Sequence, residues 1–248
     1  MDLGIAGRRA AVAAGSAGLG FASAAALAAE GVQVAICGRD EARLLEAAAE
    51  IGSRCVPLVA DVGTAAGATE FVDAARDALG GIDILVTNAG GPPPGNFAST
   101  DVDAYPAALE LNLLSVVAMC KRAVPPMREQ RWGRVVAITS LAVRQPMAAL
   151  ILSNTARAGA TGFLKTLARE VAGDGITVNS LQPGIHATAR MTQLYGGEPD
   201  AAKLGIPAGV AGDPDDFGHV VAFLCSDHAR FITGAQIPVD GGAYAGLL

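Results

Sequence analysis

Long apolar runs, basic charge and clustered metal ligands are what this sequence has least of, and each shortage excludes something. No apolar run reaches the roughly eighteen residues that span a bilayer. The first residues, MDLGIAGRR, lack the charged-then-apolar pattern of a secretory leader. A soluble, cytoplasmic protein with no membrane partner is therefore expected. Charged residues make up 17% of the chain and the net charge is -6, so the basic surface of a nucleic-acid binder is missing and no nucleic-acid partner is expected. The four cysteines, Cys37, Cys55, Cys120 and Cys225, stand alone in apolar surroundings without metal-ligand spacing. They read as reduced core thiols, and no catalytic metal is expected. With no long repeat and no low-complexity linker, 248 residues of which 51% are hydrophobic are expected to form one domain over 1–248.

What is present is a strand-turn-helix pattern at the start of the chain. Ala10 to Ala13 is a short apolar run, and it enters a turn holding Ala14, Gly15, Ser16, Gly18, Leu19 and Gly20. From Leu19 to Glu30 the chain is alanine-rich and free of breakers, which predicts a helix. Glycines where a strand becomes a helix let a phosphate approach the backbone, and the free N–H groups at the helix start favour an anion. A plain glycine-rich loop would show the same spacing, so the remaining segments have to decide.

They repeat the alternation of strand and helix. Val32 to Cys37 predicts a second strand, followed by Gly38, Arg39 and Asp40, with Asp40 as N-cap of a helix over 41–51. In a dinucleotide-binding fold an acid at the end of the second strand bonds the NAD ribose, whereas an arginine suits the extra phosphate of NADP. Here Arg39 comes first, which favours NADP(H) over NAD(H); the alternative is a solvated loop charge. Strands over 55–59, 82–87 and 133–139, helices over 64–79 and 104–127, and short connections argue for a parallel sheet covered on both faces. The helix over 104–127 is expected to break near Pro125 and Pro126. Ligands of such sheets bind beyond the carboxyl ends of the strands.

The chain resembles the short-chain dehydrogenase/reductases over nearly its whole length. The resemblance rests on the Gly18-x-Gly20 turn, Asp61-Val62, Asn88-Ala89-Gly90, Asn112, Ser140, Pro183-Gly184 with Thr188, Ile232-Thr233-Gly234 and Val239-Asp240-Gly241-Gly242. It implies an α/β fold, a single doubly wound Rossmann-type domain with a mostly parallel sheet of about seven strands and a substrate lid at about 187–212. It further implies that the glycine turn, Asp61, Val62, Asn88, Ala89, Gly90, Pro183, Gly184 and Thr188 hold the cofactor. Asn112 would bend its helix and hold a water in a proton relay, and Ser140 would bond the substrate carbonyl. Ser140 as a mere strand end is the alternative. A small-molecule substrate and a homotetramer or homodimer are also implied, assembled partly through the helices of Asn112 and Arg157 and partly through the C-terminal segment.

Two departures stand out. Ala14 occupies the place of the family's first glycine. More important, the family's next helix carries a tyrosine and, four residues later on the same face, a lysine that lowers the phenol's pKa. Ser153 and Arg157 stand there instead. An aliphatic hydroxyl is a far weaker acid than a phenol of pKa about 10, and arginine does not relay a proton, although its planar fork can bond a ribose or a phosphate. The alternative is that Ser153 caps the helix and Arg157 is a charge on its face.

Further pocket residues are expected around these. Pro92, Pro93 and Pro94 predict a stiff segment leading to Phe97 beside the substrate. Arg144 would hold an anionic group, and His186 or Tyr195 would offer a proton; for each, packing is the alternative. The resulting expectation is an atypical reductase moving hydride between NADP(H) and a small carbonyl or alcohol, with Ser140, Asn112, Ser153 and Arg157 as its polar site. A non-redox isomerase, dehydratase or cyclase on the same scaffold and a cofactor-binding pseudoenzyme are the competing readings, since fold does not fix function.

Overall fold

In a computed structural model, which describes residues 1–197 and 199–247, seven strands form one sheet in the order β3-β2-β1-β4-β5-β6-β7. Every neighbouring pair is parallel. The strands are β1 (Arg9–Val12), β2 (Gln33–Gly38), β3 (Cys55–Val59), β4 (Ile84–Thr87), β5 (Gly133–Ile138), β6 (Ile176–Pro183) and β7 (Gln236–Val239). Between them run α1 (Gly18–Ala29), α2 (Glu41–Ile51), α3 (Ala65–Leu79), α4 (Tyr105–Leu109), α5 (Ser115–Glu129), α6 (Ile151–Val171), α7 (Ala189–Tyr195) and α8 (Pro214–Cys225). The order reverses between β1 and β4, the switch point beyond which such sheets bind their ligands.

The apolar strands are buried because both faces are covered. Phe71, Met119, Met127 and Leu164 from α3, α5 and α6 pack on Ala11, Leu85 and Val135. Leu27, Leu44, Phe217 and Val221 from α1, α2 and α8 pack on Val12, Ile36, Ile84 and Val136. Alanine-rich α1 lies against α8 at backbone distance, since a Cβ at Gly218 would strike the carbonyl of Ala22. Below the sheet, buried Asp83 accepts hydrogen bonds from the backbone N–H of Arg9 and from its Nε and NH2 at 2.8 to 2.9 Å.

Two local expectations change. The helix over 104–127 does not break at its prolines: α4, one wide π-type turn over Glu110–Leu114 and α5 run on to Glu129. Pro125 and Pro126 each remove one N–H, but the carbonyls left without it belong to Lys121 and Arg122, both exposed residues. Helix α6 starts at Ile151 rather than at Ser153, so Ser153 lies inside the first turn, buried, and is not its N-cap. The chain before α6 is held by the proline loop, because Gly95 donates its N–H to Ala149 O and accepts from Ile151 N–H.

Candidate active site

Ala14 leaves β1 in a left-handed conformation, φ 48°. Its N–H donates to Cys37 Sγ and its carbonyl accepts from Asn88 Nδ2, each at 3.3 Å. Gly15 packs where a Cβ would meet Ile36 Cγ2 at 2.8 Å, and Ser16 lies against Gly38. A Cβ at Gly20 would collide with Ala14 O and lie 2.7 Å from Asn88 Nδ2. Glycine is thus required there by close approach, and Asn88 serves the turn as its underside. Helix α1 then starts from Ala17 with no side-chain cap and no acid in its first turn. Its leading N–H groups, at Gly18, Leu19 and Gly20, are left for an outside acceptor. Thr188, which N-caps α7, hangs over the same turn, its Cγ2 being 3.5 Å from a Cβ built at Gly18. This cradle fits a dinucleotide pyrophosphate.

Arg39 and Asp61 follow the ends of β2 and β3. The Arg39 side chain is 78% exposed and 4.0 Å from Asp61 Oδ2. A pair this open and this long contributes little, so the guanidinium is available to a phosphate. Asp61 accepts the N–H of Gly63 at 2.9 Å and Val62 is buried behind it. Asp40 caps α2 by accepting from Arg43 N–H.

On the other side of the switch point, Arg157 ties two strand ends together. Its NH1 donates to Ile138 O and Thr139 O at 3.0 Å, and its NH2 lies 3.4 and 3.5 Å from Ala89 O and Gly90 O. The fork that was expected to reach ribose or phosphate is occupied by main-chain carbonyls of the ends of β4 and β5. Burial, and then the charge of Arg190, push its pKa down to about 10, so it remains a cation at neutral pH. Neither side chain is paired with a carboxylate among the described residues. Asn112, buried in the π-type turn, donates from Nδ2 to Gly90 O at 2.9 Å while its Oδ1 has no partner. The π-type turn falls at the position of this asparagine.

Ser140 sits at the exit of β5 with its Oγ accepting the N–H of Ala142 at 3.1 Å. Its hydroxyl hydrogen is left to donate elsewhere. Ser153, one α6 turn before Arg157, has a hydroxyl with no hydrogen-bond partner among the described residues.

The expected pocket residues divide. The proline segment and the chain before α6 lie side by side through Gly95, which puts the exposed side chains of Pro93 and Phe97 and that of Met147 on two adjacent loops. Arg144 turns away to the sheet edge: its NH2 donates to Gln236 O at 2.8 Å, and with Lys165, Gly234 and Tyr244 it lines a shallow cleft of about 440 Å³. His186 is buried edge-on against Phe217, 5.2 Å between centroids, with Gly212 packed on its ring. Burial lowers its pKa, with the carbonyl of Gly184 and the charge of Asp213 working the other way; it is a packing residue. Tyr195 ends α7 half-exposed. Gly184, after β6, packs on Asp240, whose Cα and Cβ would each lie 2.8 Å from a Cβ there. The residue missed in the sequence is Arg190, whose guanidinium lies directly on Gly91 and 3.8 Å from a Cβ at Gly90. Its place two residues after Thr188 was legible; its reach across to the end of β4 was not.

Residues 13–244 match a family described as enoyl-(acyl carrier protein) reductase. Among curated relatives, 3-oxoacyl-(acyl-carrier-protein) reductase FabG of Vibrio cholerae is 33% identical over 239 residues, covering 96% of this chain and 98% of that one. Among solved structures, L-sorbose reductase of Gluconobacter frateurii in complex with NADPH and L-sorbose superposes with a TM-score of 0.89 at 30% identity over all of both chains. A short-chain oxidoreductase of Pseudomonas aeruginosa PAO1 containing an atypical catalytic center superposes at 0.90, with 29% identity over 99% of this chain and 100% of that one.

Proposed function

The chain belongs to the short-chain dehydrogenase/reductase family, and from that premise we propose that it is an NADP(H)-dependent oxidoreductase with a non-standard active centre, moving hydride between NADP(H) and a small carbonyl or alcohol. The observation that carries this reading is the convergence of the pyrophosphate cradle at Gly18–Gly20 with Ser140 and Arg157 around one switch point. NADPH-bound and reductase relatives support it, and Arg39 is the residue assigned to the 2′-phosphate.

Held by the Gly18–Gly20 cradle and Arg39, NADPH would supply the hydride. The chain's own residues do the rest. Ser140 donates its free hydroxyl hydrogen to the carbonyl oxygen, where negative charge builds as the carbon is reduced. Arg157 fixes the strand ends and adds a stationary positive charge, and it neither donates nor accepts a proton. The proton that completes the alcohol comes from water, relayed by Ser153, whose hydroxyl is free to accept one hydrogen bond and donate another. Asn112 Oδ1 is the acceptor that holds such a water. A phenol in this place contributes about two to four powers of ten in rate, so slow turnover of simple ketones follows. The segment 187–212 is read as the lid, of which Glu198 lies outside the described residues. A cytoplasmic location and a homotetramer or homodimer complete the proposal.

The absence of a phenol at position 153 also favours a second reading, a non-redox isomerase or dehydratase that retains NADP as a structural part. Stereospecifically deuterated NADPH separates the two. Deuterium in the product supports hydride transfer, and product without deuterium overturns it.

A further inference from the structure

The segments bordering the cleft are unusual for an acidic chain. The protein has 24 Asp and Glu residues and a net charge of -6. Yet residues 14–20, 88–97, 140–157 and 183–197, which follow β1, β4, β5 and β6, contain no Asp and no Glu. The nearest acid on the Asn112 turn, Glu110, is turned away to accept the N–H of Ala65 at the start of α3. The chain after β2 and β3 is different, with Asp40 and Asp61 close to Arg39. These four segments thus carry no carboxylate; the acid-free phosphate turn is explained by a dinucleotide, the acid-free segments after β4, β5 and β6 are not, and among the described residues the acid further along 187–212, Asp200, is paired with Lys203.

The segments after β5 and β6 instead hold two guanidinium groups within electrostatic reach of each other. Arg157 has four of its five N–H directions, those of NH1 and NH2, turned to carbonyls. Arg190, exposed on the first turn of α7, has no ion pair and no hydrogen bond among the described residues and lies on Gly91, next to the proline loop. Two cations held together without a counter-ion repel, and an anion placed between them removes that cost. The guanidinium lies closer to Gly91 than to Gly90, and Gly91 leads directly into the segment of Pro93 and Phe97.

We propose that the cleft selects a carbonyl compound bearing a free carboxylate and an apolar body, and that Arg190 on the lid is the residue that grips the carboxylate. This rests on the reductase reading, and it adds the substrate class: an oxo acid, reduced to the corresponding hydroxy acid. Bidentate pairing of guanidinium with carboxylate gives Arg190 both charge and orientation to offer. Seating the substrate would draw α7 over the cleft.

The test uses acetoacetate, 4-methyl-2-oxopentanoate and phenylpyruvate, each with its methyl ester. Binding to the protein–NADP+ complex is measured by calorimetry and turnover by NADPH oxidation. The expected result is that at least one acid binds and reacts about tenfold to a hundredfold better than its ester. Arg190→Ala abolishes that preference, Arg190→Lys keeps part of it, and NADPH affinity changes less than about threefold in both, well below the effect on the acid. Equal handling of acid and ester, or no binding of any acid, overturns the proposal. So does an Arg190→Ala variant that loses NADPH affinity as strongly as acid affinity, which would place Arg190 on the cofactor phosphates. Acid-selective binding without NADPH oxidation upholds the carboxylate site while the reductase reading fails.

Discussion

Replacing Ala14 tests the construction of the cofactor cradle. At φ 48° an alanine sits in the left-handed region at a cost of about 1–2 kcal/mol. Glycine removes that strain but gains freedom in the unfolded chain, which returns about 0.4–1 kcal/mol, and it forfeits part of a methyl contact with the core under α3 and α5. Ala14→Gly is therefore expected to stabilise the cofactor-free protein by about 0.5 kcal/mol, a rise in Tm of about 1–2 °C for a chain of this size. Ala14→Val, β-branched in the same conformation, is expected to cost about 1–2 kcal/mol more than alanine, a fall of about 2–8 °C. Thermal and urea unfolding of the three proteins, with and without NADPH, measure the series. Because the turn is shaped by Ala14 N–H on Cys37 and Ala14 O on Asn88, which glycine keeps, NADPH affinity should stay within about threefold in Ala14→Gly. A Tm lowered by several degrees in Ala14→Gly would refute the strain argument and make the alanine methyl a needed packing element.

Other expectations concern protons, thiols and the altered pair. Buried Asp83 is held below the usual carboxylate range: burial opposes the charge, but the hydrogen bonds and charge of Arg9 outweigh it. Its contribution is therefore present above the unfolded value of about 4 and is lost as pH falls below it. Asp83→Asn should cost about 3 kcal/mol at pH 7, and urea titrations should show the gap to the parent closing in acid. Burial pushes Cys37, Cys120 and Cys225 up to about 12 and half-buried Cys55 to about 11. With a thiol reagent at pH 8, Cys55 should react first and the other three only as the protein unfolds; early labelling of Cys37 would contradict the packing described. Introducing Ser153→Tyr with Arg157→Lys should raise the rate of simple ketone reduction by about a hundredfold or more. An unchanged rate would show that the missing phenol is not what limits the native site.

Much of this was legible in the sequence because it is local. The glycine spacing of the first turn, the apolar strands and the cap at Asp40 depend on neighbours in the chain, and the parallel sheet follows from their alternation. What escaped depends on distant groups. The pair Pro125 and Pro126 looks like a helix end until the exposure of Lys121 and Arg122 is known. Ser153 looks like a cap until Gly95, from another loop, is seen starting the helix two residues earlier. The fork of Arg157 finds its carbonyls at 89–90 and 138–139, and Arg144 finds its own at the sheet edge, neither of which any spacing along α6 or after Ser140 announces. Arg190 drew no notice as one charge in a lid, because its meaning comes from Gly91 across the cleft.

The most direct test of the central claim is a calorimetric titration of cofactor-free protein with NADPH and, separately, with NADH. The account predicts that NADPH binds, and binds about tenfold or more tighter than NADH, with the margin lost in Arg39→Ala. Binding of neither would contradict it: the cradle of Ala14 to Gly20 would then hold no dinucleotide, and the chemistry at Ser140 and Ser153 would proceed without one.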